Sequence, residues 1–459
     1  MIFTKKRKKL LPLLVMGISL GMSVAAHAEG WEQIGSNWIY KDANGQRITN
    51  EWRKGADGKY RWLDSAGDMA RDQWVDFDKY YVDADGIYVE SGWKKIKDHW
   101  YYFTSNGKPA RETWKKIDNK WYYFDDEGKM GVGWLLDNMY YCGKDGVMHT
   151  GWHHLVPPDS DTDTDDRLPA PGDDEGSEEK RWYFFSNNGK KFVPHLENGA
   201  EYGEGRISGV RYCFSAEGEL QTGWVNIKGT DKESASIQDF RYYNKDGTLR
   251  TGWYSIEPPE DTFENYYNTV EWFYFNASGV PRASSDERLK SSDIIRLNGR
   301  QYLFNKRGNP VYGMQKVYTG NGEEYSAYYF GTQKQSHIQK GKIRIKEAGN
   351  HEEVYYFMES TGKGYTGVKD SYLYYMGKLQ KADKGTKYQV ISIPAGANGK
   401  VTNYVVNTAG KISKNGKVKD GDRVEYKTNA SGVLTHIDGS AEGIEGVFIT
   451  PIEPEFAEN

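Results

Sequence analysis

Residues 93–109 read WKKIKDHWYYFTSNGKP, and residues 114–130 read WKKIDNKWYYFDDEGKM. Tryptophans that begin such a polar run recur at spacings of 18 to 22 residues; they are Trp31, Trp52, Trp74, Trp93, Trp114, Trp134 and Trp152. The chain therefore repeats with a period of about twenty residues, and a fixed short period is the signature of a repeat architecture.

The good copies place an aromatic strand seven or eight residues after the tryptophan, as Trp100-Tyr101-Tyr102-Phe103 follows Trp93. A turn with Asn, Asp and Gly comes next, such as Ser105-Asn106-Gly107. Aromatic residues favour strands, and Asn and Gly accept the positive φ of tight turns, so each copy predicts one β-hairpin plus a connector. Since both faces of the strand are aromatic and a lone hairpin is marginal in water, we predict that hairpins stack into an all-β, elongated solenoid.

The first 28 residues have the pattern of a secretory signal peptide. Basic residues Lys5 to Lys9 precede an apolar run from Leu10 and the small-residue site Ala26-His27-Ala28. An uncleaved membrane anchor fits less well, because the run is shorter than the roughly 20 residues of a membrane span. Removing this segment takes away five of the 61 basic residues and none of the 65 acidic ones, so the formal net charge changes from −4 to −9. Nothing here suggests nucleic acid.

Two cysteines in an exported chain of 459 residues are too few for a disulfide scaffold. Cys142 occupies the slot that other copies give to the Phe of WYYF, whereas Cys213 lies one slot earlier. Alternation along a strand would point the two side chains to opposite faces. The disulfide state therefore stays open at this point.

Residues 155–180 contain ten acidic residues and four prolines, with almost no apolar content. This composition predicts a disordered, solvated insertion. A calcium loop on Asp159, Asp161, Asp163 and Asp165 is the alternative. It fits less well, because the positions that should hold Gly and Glu are Thr164 and Ala170.

All fifteen tryptophans lie between residues 31 and 272, but aromatic strands such as 354–357 persist beyond them. The connector that is Gly-Trp in earlier copies is then Gly-Met, Gly-Lys or Gly-Val, which suggests that the connector tryptophan has a role besides stacking. The predicted organisation is a signal peptide (1–28), strong repeats (29–154), the acidic insertion (155–180), further repeats with longer insertions (181–283), degenerate Trp-free repeats (284–383), a β-rich C-terminal region (384–439) and an acidic, mobile tail (440–459).

The pattern GW-x7-8-WYYF-x4-G-x-M-x-x-GW, nearly complete from Trp114 to Trp134, resembles the cell-wall-binding repeats of Gram-positive bacteria. These are the choline-binding repeats of pneumococcal surface proteins and amidases, with related repeats in glucan-binding and clostridial toxin proteins. The resemblance implies ligand sites between consecutive hairpins. Each would be a cage made by the connector tryptophan, the strand-opening tryptophan and the first tyrosine of the next strand, often with a methionine nearby.

The resemblance implies five cages by position. They are the first cage (Trp93, Trp100, Tyr122, with Met130), the second cage (Trp114, Trp121, Tyr140, with Met148), the third cage (Trp52, Tyr60, Tyr80), the fourth cage (Trp253, Trp272, Tyr302) and the fifth cage (Trp152, Trp182, Tyr212). Other copies depart from the pattern, with Lys79, Met139, Arg211 and Arg241 in tryptophan slots and Arg61 in a tyrosine slot. A cation in the wall should repel choline, so we expect those positions to be empty or to hold something else.

Electron-rich faces on several sides attract a quaternary ammonium, at roughly 0.5 to 2 kcal/mol for each ring. Several weak cages that face a polymer with a repeating ligand gain affinity through effective concentration. The same faces stack on sugar rings, so the aromatic count alone does not separate choline from glycan.

No catalytic motif accompanies the repeats: none of the nine histidines lies in HExxH, in a nucleophile elbow or beside a suitable cysteine. His149, His153 and His154 could meet a metal together with Asp159, but a solvated cluster is favoured. We expect no enzyme activity, no cofactor and no metal.

Three functions remain open. The first, which we favour, is an exported protein held non-covalently to the bacterial cell wall or cell surface through teichoic acid or wall polysaccharide; no LPxTG-type anchor or lipobox cysteine offers another route. The second is a secreted adhesin for glucan or host glycans, and the third is a toxin-like receptor-binding array. The sequence leaves open the bound polymer, the role of the Trp-free half and the oligomeric state.

Overall fold

The computed structural model describes residues 28–158, 180–197, 200–231, 234–259, 269–395 and 400–457. The predicted signal peptide, apart from Ala28, and Asp159 to Asp165 of the acidic insertion lie outside the described residues. The chain divides into two units, Met1–Lys180 with Phe184–Lys191, and Arg181–Tyr183 with Phe192–Asn459. Each unit is a series of short antiparallel strands, so the predicted all-β class and the repeated hairpins are confirmed. The elongated shape stays a prediction.

Consecutive strands of the first unit pair into hairpins, β1 with β2 through to β11 with β12. The strands are β1 (Gly30–Ile34), β2 (Asn37–Lys41), β3 (Glu51–Lys54), β4 (Tyr60–Leu63), β5 (Gln73–Val75), β6 (Tyr80–Val82), β7 (Gly92–Ile96), β8 (His99–Phe103), β9 (Thr113–Ile117), β10 (Lys120–Phe124), β11 (Gly133–Leu135), β12 (Tyr140–Cys142) and β13 (Gly151–Leu155). The residues of β14 (Arg181–Phe185) are divided between the two units.

The second unit starts with five hairpins, β15–β16 to β23–β24, and then changes architecture. A five-stranded sheet in the order β25-β26-β29-β28-β27 follows, then the hairpin β30–β31 and the three-stranded sheet β32-β33-β34. The strands are β15 (Tyr202–Ile207), β16 (Val210–Ser215), β17 (Gly223–Asn226), β18 (Phe240–Tyr243), β19 (Gly252–Ile256), β20 (Glu271–Phe275), β21 (Ile295–Leu297), β22 (Arg300–Tyr302), β23 (Met314–Tyr318), β24 (Tyr325–Tyr329), β25 (Gly341–Lys346), β26 (Glu352–Phe357), β27 (Gly367–Lys369), β28 (Tyr372–Tyr375), β29 (Lys378–Leu379), β30 (Tyr388–Pro394), β31 (Val401–Asn407), β32 (Lys417–Lys419), β33 (Glu425–Thr428) and β34 (Leu434–Ile437).

Helical structure in the described part of the chain is limited to five short 3-10 turns. They are Ile237–Asp239, Ser291–Asp293, Gln333–Gln335, Ala348–Asn350 and Ile444–Gly446. Within the same residues, no helix has the length and apolar character that crossing a membrane requires.

The connector tryptophan belongs to the first strand of each hairpin, which corrects the sequence-based description of it as a link between hairpins. In β9–β10, Ile117 pairs with Lys120, so only Asp118 and Asn119 form the turn. Their φ angles of 48° and 64° are both positive, as a type I′ hairpin turn requires. The turns that contain glycine come after the second strand. Each is followed by one residue that forms a single β-bridge back to that strand, such as Met130 opposite Phe124.

This bridging residue connects one hairpin to the preceding one through the main chain. The Met130 N–H donates to the carbonyl of Trp100 at 2.8 Å, and the Met148 N–H donates to that of Trp121 at 2.9 Å. Tyr88 makes the same bond to Tyr60 at 3.0 Å. Pro109 bridges Phe103 in the same way, but it lacks an N–H and so donates no such bond.

In β8 one face of the aromatic strand forms the core, and the opposite face is only partly covered. Tyr101 and Phe103 are buried, whereas Trp100 on the opposite face is 43% exposed. The register confirms the slot predicted for Cys142, because Gly133 pairs with Cys142 as Gly92 pairs with Phe103. The ring of Trp100, which opens the strand, therefore stays accessible to a ligand.

Cys142 and Cys213 are both free and buried, so no disulfide joins them. Burial raises the pKa of each thiol to about 12.

At pH 8 only about one thiol in 10⁴ would be ionised, and the thiolate is the reactive form. We therefore expect no reaction of the native chain with a thiol reagent at pH 8 and two reactive thiols per chain in guanidinium chloride. A rapid native reaction would contradict this burial.

Residues 447–457, called the C-terminal segment below, are bound to the second unit, so the expectation of a mobile tail is wrong for them. The Gln380 side-chain amide donates to the carbonyl of Ile452 at 2.9 Å and accepts from its N–H at 2.8 Å. The Ala457 N–H donates to the carbonyl of Met314 at 2.8 Å. These contacts come from residues at least 72 positions away in sequence, and local composition contains no sign of them.

Candidate functional site

The three rings of the first cage come together at the junction of two hairpins. The Trp93 ring lies 6.3 Å from that of Trp100, at 89°, and 4.9 Å from that of Tyr122 on the next hairpin. Phe124 lies behind Trp93 at 5.7 Å. The Met130 main chain bonds to Trp100 as described above, and its side chain reaches towards Gly146, where an added Cβ would lie 2.3 Å from its sulfur.

The second cage brings its connector tryptophan and its tyrosine together one repeat later. The Trp114 and Tyr140 rings are 5.1 Å apart, and Trp121 is 40% exposed. Met148 is bonded to the main chain of Trp121, and its sulfur would lie 2.2 Å from a Cβ at Gly189. Both methionines therefore adjoin their predicted cages and also fill the space above a turn glycine of the following repeat.

The third cage contains an aromatic residue that the sequence analysis missed. The Trp52 ring lies 5.6 Å from Tyr80 and 5.3 Å from Tyr88, and Tyr80 and Tyr88 are 5.6 Å apart. Tyr60 is half-exposed and joined to Tyr88 through the main chain. Because Tyr88 occupies the slot of Met130 and Met148, alignment of the repeats carries the signal for it.

The fourth cage lies wholly in the second unit. The Trp253 ring is 6.4 Å from Trp272 and 5.1 Å from Tyr302, and Trp272 is 47% exposed. His337, which the sequence analysis did not assign to a site, lies 5.9 Å from Tyr302. Burial and the charge of Arg300 lower the His337 pKa, so the ring is neutral at pH 7 and does not repel a cation there.

The predicted fifth cage draws on both units. Trp152 belongs to the first unit, where its ring lies 5.2 Å from Phe184. Trp182 and Tyr212 belong to the second unit, and Trp182 is 45% exposed. This set stays a prediction.

The copies with a cation in a wall slot bind that cation internally. Arg61 makes two hydrogen bonds to the Asp57 carboxylate at 2.9 and 2.8 Å, which hold the pKa of Asp57 well below its usual range. Arg241 is buried and donates to two backbone carbonyls, at 3.0 and 2.8 Å. These two guanidinium groups are held by internal hydrogen bonds, and the expectation that such positions do not hold choline stays a prediction.

The local charges favour a cation at the first cage. Burial raises the pKa of Tyr122, and the carboxylates of Asp145 and Asp118 contribute to the shift. The phenol is therefore neutral at physiological pH, and two carboxylates act on the cage against one ammonium group, Lys115, whose Nζ lies 5.7 Å from the neighbouring Tyr102 ring. Aromatic faces and nearby carboxylates together suit a quaternary ammonium ligand.

The histidines near Trp152 form a stacked pair rather than the solvated cluster that we expected. The rings of His149 and His153 are 3.9 Å apart at 24°, and both are half-buried. Burial and the neighbouring His153 lower the His149 pKa. No group of three or more His, Cys, Asp or Glu suited to a metal occurs in the described ranges, and Asp159 lies outside them.

Family comparisons match the N-terminal repeats. The choline-binding repeat family matches residues 48–88. The cell wall binding repeat family matches residues 29–46, 91–108 and 112–130. No curated protein matches the chain.

Solved structures with similar hairpins come from Streptococcus pneumoniae. CbpJ is 20% identical, with 75% of this chain and 100% of that chain covered and a TM-score of 0.36. Choline binding protein F is 20% identical, with coverages of 76% and 99% and a TM-score of 0.34. The modular autolysin LytC is 18% identical with a TM-score of 0.35. The match covers 62% of this chain, and this chain spans about half of the length of LytC, 54%. At these values the structures carry no argument about function.

The family matches fall on the strong repeats, which also contain the first and third cages and part of the second. They confirm the resemblance drawn from the sequence, and such repeats indicate non-covalent binding to a cell wall. Nearly all of residues 29–130 therefore match the choline-binding repeat family or the cell wall binding repeat family.

Proposed function

We propose that this is an exported, non-catalytic protein that binds choline-like groups of a wall teichoic acid or polysaccharide and so stays attached to the bacterial cell surface. One observation carries the proposal. In four cages, a connector tryptophan lies 4.9 to 5.6 Å from a tyrosine of the next hairpin. In the same cages, the strand-opening aromatic ring stays 40 to 50% exposed. In the first and fourth cages the exposed ring also lies 6.3 and 6.4 Å from the connector tryptophan, which makes a preformed, open aromatic site.

The number of cages supports a polymer ligand. A single aromatic cage binds a quaternary ammonium weakly, because each ring contributes only about 0.5–2 kcal/mol. Cages repeated along one chain can engage a polymer that repeats its own ligand, and each later contact then benefits from a high effective concentration. Weak individual sites and firm overall attachment are therefore compatible.

Titration of the full chain with choline tests the proposal through intrinsic tryptophan fluorescence. We expect a saturable change that Trp100→Ala and Trp121→Ala each weaken, because these substitutions remove one exposed wall from the first and second cages. Phe77→Ala is the matched control, since Phe77 is 93% exposed and belongs to no cage. A flat titration of the folded wild-type chain would refute choline as the ligand.

A neutral glycan is the second candidate, and the third cage is the observation that favours it. Lys54 Nζ lies 5.9 Å from the Tyr60 ring, and Lys108 Nζ lies 5.8 Å from the Tyr80 ring. These two cations oppose the entry of a third, whereas a sugar ring stacks on tyrosine without that penalty. Bound protein that free choline elutes from cell walls would favour the first candidate. Retention on glucan or mammalian cells in excess choline would favour the second.

A further inference from the structure

A cavity of about 440 Å³ lies in the second unit, and no tryptophan lines it. Its apolar walls are the rings of Tyr312, Tyr329 and Phe456, with Met314 and Ile345. Tyr312 is 48% exposed, so about half of this residue is open to solvent at the cavity. The volume is in the range of about 300–1,000 Å³ that is usual for small-molecule sites.

The C-terminal segment completes this cavity. Glu455, Phe456 and Ala457 line it together with Gly313. A Cβ added to Gly313, whose φ is +73°, would lie 3.1 Å from the Cβ of Ala457. Gly313 corresponds to the glycine that precedes tryptophan in earlier connectors. Here it leaves room for the C-terminal segment beside the start of β23.

The charged groups at the cavity cancel one another. The Glu347 carboxylate is 2.8 Å from Lys378 Nζ, and the two side chains are each only 9% exposed. It also accepts a hydrogen bond from the Tyr355 hydroxyl. Glu455 accepts the Ala348 N–H at 2.7 Å, and Lys346 in the same lining carries the opposite charge.

Hydrogen-bonding groups complete the lining. Thr332 and Gln333 lie beside the aromatic walls, and the Glu455 carboxylate uses one oxygen for its backbone contact. Aromatic surface with polar groups at its edge and no net charge suits a ligand with apolar C–H faces and peripheral hydroxyl groups. The carboxylates of Glu347 and Glu455 and the ammonium groups of Lys346 and Lys378 sum to zero net charge, so the cavity favours neither a cation nor an anion.

We propose that this cavity binds a neutral sugar unit of a glycan, stacked on Tyr312 and hydrogen-bonded by Thr332, Gln333 and Glu455. The site shares no residue with the tryptophan cages and goes beyond the proposed choline-dependent attachment. It gives the Trp-free half of the chain a ligand of its own. A protein bound to a wall through its cages could thus hold a second, uncharged polymer.

Saturation-transfer NMR on the full chain tests this site. The probes are maltotriose and the N-acetylglucosamine trimer, measured with saturating choline so that the cages are occupied. We expect transfer to the sugar protons of at least one probe. Tyr312→Ala should weaken that binding about ten-fold through loss of the stacked surface, whereas Tyr312→Phe should retain it. Phe448→Ala is the control, because Phe448 is an exposed aromatic of the C-terminal segment outside the lining.

Two results would overturn the sugar site while leaving the proposed function intact. One is no transfer to either probe from a folded chain that still binds choline. The other is transfer that Tyr312→Ala leaves unchanged or that Trp100→Ala abolishes, since the sugar would then occupy a cage. Failure of choline binding with intact, Tyr312-dependent transfer would instead refute the proposed function alone.

Discussion

A chain carrying Trp100→Ala, Trp121→Ala and Trp272→Ala should bind choline-bearing cell walls about 10²–10³-fold more weakly than the wild-type chain. Each substitution removes the exposed ring of one cage, in the first, second and fourth cages respectively. The three losses combine because a polymer that is released from one cage is no longer held close to the others. Co-sedimentation with purified walls over a range of protein concentrations measures this loss.

The control for this triple variant removes three exposed apolar side chains outside the cages, as Phe77→Ala, Leu136→Ala and Phe448→Ala. It should sediment with walls as the wild-type chain does. Equal retention of both triple variants would contradict attachment through the cages. Loss in both would indicate that exposed apolar surface in general, rather than the cages, holds the protein to the wall.

Lys378→Ala should destabilise the five-stranded sheet of the second unit by about 3–5 kcal/mol, because it leaves the buried carboxylate of Glu347 without its counter-charge. The side chains of both partners are 9% exposed, and Nζ lies 2.8 Å from the carboxylate. The Lys378 ammonium also donates to the carbonyl of Glu453 at 3.4 Å, so its loss should loosen the C-terminal segment as well.

Hydrogen exchange measures this effect locally, which suits a chain of two units better than a single unfolding transition. Amides of β28 and β29 should exchange at least about 10²-fold faster in Lys378→Ala. The double variant Lys378→Met with Glu347→Gln should recover most of the protection, because it removes both charges and keeps an acceptor for the Tyr355 hydroxyl. Equal exchange in the single and double variants would contradict an uncompensated buried charge as the cause.

The features that repeat in the sequence were predictable from it. The period of about twenty residues and the alternation of exposed and buried rings follow directly from the sequence and strand geometry. The family resemblance supplied the sets of rings. Three of these sets lie within the first unit and one within the second, and in each of the four the connector tryptophan contacts the expected tyrosine. Such features depend on residues that recur at fixed distances, and each copy confirms the others.

The features that the sequence analysis missed depend on a single copy or on distant contacts. Tyr88 escaped notice because it is an aromatic residue in a slot that later copies give to methionine. The five-stranded sheet replaces separate hairpins because β26 pairs with β29 as well as β25, and no periodic signal marks that pairing. The ordered C-terminal segment relies on Gln380, which lies 72 residues before its partner Ile452.

The main-chain bond between hairpins makes a binding site separable from the fold that carries it. The bond from Met130 to Trp100 uses only an N–H and a carbonyl, and Tyr88 and Tyr60 make it equally well. Any side chain except proline can take the donor position. A copy can therefore lose its ligand through one substitution and persist as a spacer, while duplication of a twenty-residue unit adds one more junction. The number of ligand sites can therefore rise or fall by one at a time during evolution while the hairpin scaffold stays the same.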